Sequence, residues 1–129
     1  MFGKLPIKAI ALGPQVEKRS GSRISGQDCA AKIVRLMGDS ARFDFSPYSG
    51  KVDIVIVDGA HTCEYAVNDS EIARRLLGRN PGIILWHDYG NCDGVTTALN
   101  RLYSAGGFWG GIRWIKGTSL ACLYGMPIK

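Results

Sequence analysis

Two apolar runs, VDIVIV at 52–57 and GIIL at 82–85, each stop at a cluster of acid and histidine: Asp58-Gly59-Ala60-His61 after the first, His87-Asp88 after the second. A near-continuous run of this kind is the pattern of a strand buried on both faces in a parallel sheet. Between them Thr62 is placed to cap a helix, Glu64 to occupy its first turn and Gly78 to close it. Tyr65, Ile72, Ala73, Leu76 and Leu77 share one face of that helix, a stripe suited to covering the sheet. Asp69 falls within the stripe, and a carboxylate there requires a partner because burying an unpaired charge is costly.

Past Asp88, GVTTALNRLYSAGG predicts a shorter helix with Val95, Ala98, Leu99 and Leu102 on one side. Strand, helix, strand, helix in that order implies right-handed βαβ units. IRWIKG and SLACLYG, joined through Lys116-Gly117-Thr118, read instead as a β-hairpin. The expected class is therefore α/β, a mostly parallel sheet with an antiparallel C-terminal edge. Upstream, IKAIAL at 7–12 reads as a strand ended by Gly13-Pro14, residues 15–28 as a loop, 28–32 as a helical turn, and IVRLMG at 33–38 as a strand running into Asp39-Ser40.

With 129 residues the chain makes one domain, 1–129. No apolar run approaches the length of a membrane span, and the Lys inside MFGKLPIKAIALG, with no small-residue cleavage site, argues against a signal peptide. A cytoplasmic protein is expected. Cys29, Cys63, Cys92 and Cys122 are widely spaced without a C-x-x-C pair and read as reduced thiols. The net charge of +5 is scattered, with only Glu17-Lys18-Arg19 and Arg74-Arg75 grouped, so nucleic acid is not an expected partner.

In open parallel sheets, ligands bind outside the carboxyl ends of the strands. Those ends here carry Asp39-Ser40, Asp58 through His61, and His87-Asp88-Tyr89. Because one helix joins the last two strands, they are expected to be neighbours, with Asp58 and Asp88 facing one crevice. Two carboxylates there suit a hard divalent cation such as Mg²⁺; the alternative is that they cap the following helices or bind turn amides. His61 and His87, the two histidines of the chain, are candidate general bases or metal ligands. With Cys63 and Cys92 they can also build a zinc site, although H-x-C and H-x₄-C match no standard module, and a Cys–His nucleophile pair stays open too. Trp86, Tyr89, Phe108, Trp109 and Trp114 serve either as core or as the lining of a pocket for a flat substrate. GGFWGG is either a plain connection or a flap over the crevice.

VDIVIVDGAH, a helix containing Tyr65 and Asp69, then LLGRNPGIILWHDYG and GVTTAL resemble the class I S-adenosylmethionine-dependent methyltransferases, in particular the small-molecule branch with I-D-G-x-H and a later G-G-x-I-x-x-H-D. WIKGTSLACLYG is similar to that family's closing hairpin. The resemblance covers roughly residues 33–127 and implies a Rossmann-like sheet with helices on both faces. IKAIAL would be the family's second strand, IVRLMGDS its third, VDIVIVDGAH its fourth and GIILWHDY its fifth. Asp39, Ser40, Asp58 and Gly59 would contact S-adenosylmethionine, the first two toward its adenine. Asp58 and Asp88 would hold a divalent metal such as Mg²⁺, and His61 or His87 would be the base that methylation of a small-molecule hydroxyl requires.

The family's first strand and its E/D-x-G-x-G loop find no counterpart before Ile7, and Leu12-Gly13-Pro14 stands where its ribose-binding acid belongs. The expectation is thus a truncated version of the fold. It would close by direct pairing of the remaining strands or by exchanging elements with a second chain, giving a homo-oligomer. Two other functions fit the same residues: a catalytically silent binding or assembly module, and a metal-dependent hydrolase using Asp58, Asp88 and the histidines.

Overall fold

The computed structural model describes Leu36 and residues 38–125. The readings for 7–12, 15–28 and 28–32, and all of 33–38 except Leu36 and Gly38, lie outside these residues. After a single 3₁₀ turn at Ser46–Tyr48, the order is β1 (Ile54–Val57), α1 (Cys63–Leu77), β2 (Gly82–Trp86), α2 (Asp93–Ala105), a second 3₁₀ helix (Gly107–Gly111), β3 (Arg113–Trp114) and β4 (Ala121–Gly125).

β1 and β2 pair in parallel, Ile54 opposite Ile83 and Val57 opposite Trp86, so one helix does join neighbouring strands. The hairpin also forms, and its second strand lies inside: β4 runs antiparallel to β2, and β3 pairs outside β4. A mixed four-stranded sheet of order β1-β2-β4-β3 results.

Local chemistry sets the ends of α1. Thr62 is extended, and its hydroxyl accepts a hydrogen bond from the Tyr65 N–H at 3.4 Å. At the other end Gly78 adopts φ +63°, and a Cβ there would lie 2.8 Å from Gly50 Cα, so both conformation and space demand glycine. The buried face of α1 comprises Ala66, Asp69, Ser70, Ile72, Ala73, Leu76 and Leu77. Tyr65 sits at its margin, half-buried, rather than inside the stripe.

Val55, Val57, Ile84, Trp86, Ala121 and Leu123 are buried on one face of the sheet, in one cluster with α1 and with Val95, Ala98, Leu99 and Leu102 of α2. Burying each large side chain there contributes roughly 1.5–3 kcal/mol. The opposite face differs: Ile54, Ile56 and Tyr124 are 58%, 60% and 59% exposed. Among the described residues, β1 is therefore buried on one face only, and both helices lie on that same side. Both helical crossovers step the same way across the sheet, from β1 to β2 and from β2 past β4 to β3, which runs parallel to β2, and right-handed crossovers that keep their direction keep their helices on one face.

Trp86 and Trp109 are core, whereas Trp114 is 53% exposed. GGFWGG is a packed connection: Phe108 meets Trp109 edge-on at 4.9 Å, and the Arg74 guanidinium sits 5.0 Å above the Phe108 ring. No helix among the described residues is long and apolar enough to cross a membrane.

Candidate functional site

The pairing of β1 with β2 continues one step past the strands, because the His87 N–H donates to the Val57 carbonyl at 3.1 Å. That bond sets Asp58 beside His87. His87 Nδ1 lies 3.6 Å from Asp58 Oδ1 and 3.1 Å from Asp88 Oδ2, and His61 Nε2 lies 2.9 Å from the same Asp88 oxygen. Two imidazoles thus converge on one carboxylate. Asp88 has φ +64°, a left-handed conformation that Asp tolerates better than most residues and that recurs where a side chain is held for a purpose. Its carbonyl accepts from Cys92 N–H at 3.0 Å, and the next residue, Tyr89, donates its N–H to Ser119 of the hairpin at 3.0 Å. The Asp88 turn is therefore anchored from both sides.

The Asp88 side chain is 17% exposed, against 57% for Asp58, 52% for His61 and 45% for His87. Asp88 is the floor of an open site, and the other three are its rim. Each histidine faces Asp88 through one nitrogen, and an imidazole N–H donated there leaves the opposite nitrogen, Nδ1 of His61 or Nε2 of His87, with its lone pair. The capping alternative for the carboxylates is not what forms: Thr62 caps α1, and Cys92 stands at the N-cap of α2.

Among the described residues, two sets of donor groups have ligand atoms within 4.8 Å of one another: His61 with Asp88 and Cys92, and Asp58 with His87 and Asp88. Carboxylates and imidazoles on partly exposed side chains fit a divalent cation. Cys63 belongs to neither set; its sulfur faces Arg101 Nη1 at 3.7 Å. Beside the cluster, Tyr89, Gly90, Asn91, Trp114 and Thr118 line a groove of about 300 Å³. Comparison with protein-family models, curated proteins and solved structures finds no match to this chain. Its residues alone carry the functional argument.

Asp39 and Ser40 sit apart from these donor sets. Asp39 Oδ1 accepts from the Tyr65 hydroxyl at 3.0 Å, and this bond is the main cause that raises the Tyr65 pKa above 10.0. Ser40 is 3% exposed, and neither its hydroxyl nor Asp69 Oδ2 makes a hydrogen bond of acceptable geometry. The partner that Asp69 requires is thus half supplied, by the Asn68 amide at 3.1 Å. Gly59 is the half-buried bend between β1 and His61. Nothing in the sequence pattern announced the Tyr65–Asp39 bond, since Tyr65 reads as stripe; the left-handed Asp88 was more accessible, because Asp-Tyr-Gly after a strand is turn chemistry.

Burial raises the pKa of Asp69, the Ser40 hydroxyl and Asn68 amide oppose the shift, and the Asp39 charge adds to it. Because the folded value lies above the ordinary 3.8, the stability linked to Asp69 is complete below pH 3.8 and is lost as pH rises through the folded value. Asp69→Asn keeps an acceptor for Asn68 and puts an N–H donor in place of the orphaned oxygen. It is expected to stabilise the fold at neutral pH by about 1 kcal/mol and to leave it unchanged below the ordinary carboxylate pKa. Thermal melts at the two pH values check this, and an unchanged or lower melting temperature at neutral pH contradicts it.

Proposed function

We propose that this chain is a methyltransferase-like protein whose strand-end crevice transfers a methyl group from S-adenosylmethionine to a small-molecule hydroxyl with the help of a divalent cation. The observation that carries this reading is the bridging of Asp58 and Asp88, at the ends of adjacent parallel strands, by His87. The order β1, α1, β2, α2 and hairpin also fits the resemblance, with β1 and β2 as the family's fourth and fifth strands.

Asp58 and Asp88 would hold the ion. A divalent cation bound there would make a coordinated hydroxyl more acidic. The lone pair of His61 Nδ1 or His87 Nε2 would accept the hydroxyl proton, and Asp88, in contact with both rings, would stabilise the imidazolium that forms. Asp39 would offer an acceptor to the adenine, with the buried Ser40 beneath it facing Asp69. Tyr89 and Trp114 would flank a flat substrate in the groove one residue beyond Asp88.

Calorimetric titration with S-adenosylmethionine tests the proposal. Micromolar binding that Asp39→Ala weakens at least tenfold is expected, and binding no tighter than millimolar contradicts it.

A further inference from the structure

The two donor sets at the strand ends differ in chemical character. Asp58, His87 and Asp88 contribute two oxygens and one nitrogen, whereas His61, Asp88 and Cys92 contribute one nitrogen, one oxygen and one sulfur. Softer ligands select differently from hard ones: Mg²⁺ takes oxygen donors in an octahedron and keeps its waters, while thiolate and imidazole favour Zn²⁺ and its neighbours.

We infer that, beside the position at Asp58 and Asp88, the strand ends hold a borderline transition ion of the Zn²⁺ class on His61, Asp88 and Cys92, with one coordination position open toward solvent and substrate and with His87 left as the base. The inference rests on reading the strand ends as an ion site, and it is independent of cofactor binding. Three protein ligands and an open fourth position are the usual composition of a reactive zinc site, in contrast to the closed four-ligand set of a structural one.

Placement supports the set. Cys92 is a free thiol, half-buried at the N-cap of α2, and its own N–H donates to the Asp88 carbonyl at 3.0 Å, so the turn that fixes Asp88 also fixes Cys92. His61 reaches the same carboxylate from the β1 side at 2.9 Å. The three ligands therefore come from two loops, His61 from that between β1 and α1, Asp88 and Cys92 from that between β2 and α2. A tetrahedral ion holds its ligand atoms roughly 3.3–3.6 Å apart, so the set closes onto an ion by side-chain shifts of about 1 Å. Cys63, two residues after His61, makes no part of it and serves as an internal control.

Titration of Co²⁺ into the reduced, chelator-treated chain, followed by its absorption spectrum, tests the assignment. The expected result is a thiolate-to-cobalt charge-transfer band that saturates at one equivalent. One equivalent of Zn²⁺ should bleach the band, and a thousandfold excess of Mg²⁺ should leave it unchanged. Cys92→Ser should abolish the band and weaken Co²⁺ binding at least tenfold, His61→Asn should weaken it similarly, and Cys63→Ser and Cys29→Ser should retain the band. Serine is a good N-cap, so Cys92→Ser keeps the α2 start and its loss of binding is not a loss of fold. Co²⁺ binding without the band, or displaced by Mg²⁺, overturns the thiolate site while leaving a hard ion at Asp58 and Asp88 in place. No Co²⁺ binding at all overturns both.

Discussion

Gly94→Ala is expected to destabilise the fold by about 3 kcal/mol, where the same change in an ordinary helix stabilises by up to about 1 kcal/mol. A Cβ at Gly94 would lie 3.0 Å from Cys63 N and overlap the His61 carbonyl oxygen, so the first turn of α2 must withdraw from the loop that carries His61. Since His61 contacts Asp88 at 2.9 Å, that withdrawal separates the two groups and should weaken divalent-ion binding at least tenfold. Denaturant unfolding read as the midpoint at unchanged slope, with ion titration on the same variant, measures both effects. A variant as stable as its parent would show that α2 does not seat His61.

Trp86→Ala carries the larger stability cost, about 4 kcal/mol. Trp86 is 0% exposed, and its indole N–H donates at 2.9 Å to Ser70 Oγ, which itself donates to the Ala66 carbonyl at 2.6 Å. The ring therefore ties β2 to α1 by packing and by a two-bond chain, and truncating it leaves both a cavity and a polar atom without its donor. Against a typical total of about 5–15 kcal/mol, this loss should lower the melting temperature by many degrees. Trp86→Phe, which keeps most of the volume and removes the N–H, should cost about a third as much. Since Trp86 immediately precedes His87 and Asp88, a loss below about 1 kcal/mol for the alanine variant would mean that the site is not built on this packing.

The strongest sequence signals survive in the structure because they are local. Thr62 and Gly78 bound α1, and the residues Val95, Ala98, Leu99 and Leu102 are the buried face of α2, since capping chemistry and a 3.6-residue period need only neighbours along the chain. The run 52–57 misleads in one respect: a near-continuous series of β-branched residues suggests two covered faces, and among the described residues Ile54 and Ile56 are exposed. Which face a helix covers depends on the direction of strand stepping, which no short window records. At the site, the approach of Asp58 and Asp88 was legible from the single-helix connection, but not that His87 stands between them. The convergence of His61 and His87 on one Asp88 oxygen was not, because it depends on the left-handed backbone at Asp88 and on the fit of Gly94 beneath His61.

The central claim is that the strand ends hold a divalent ion on Asp88. Crystals grown with Mn²⁺, which accepts both carboxylate and imidazole and identifies itself by anomalous scattering, test it directly. The predicted result is an anomalous peak at bonding distance from the Asp88 carboxylate and from Asp58, His61 or His87. An ordered Asp88 turn with no such peak would contradict it.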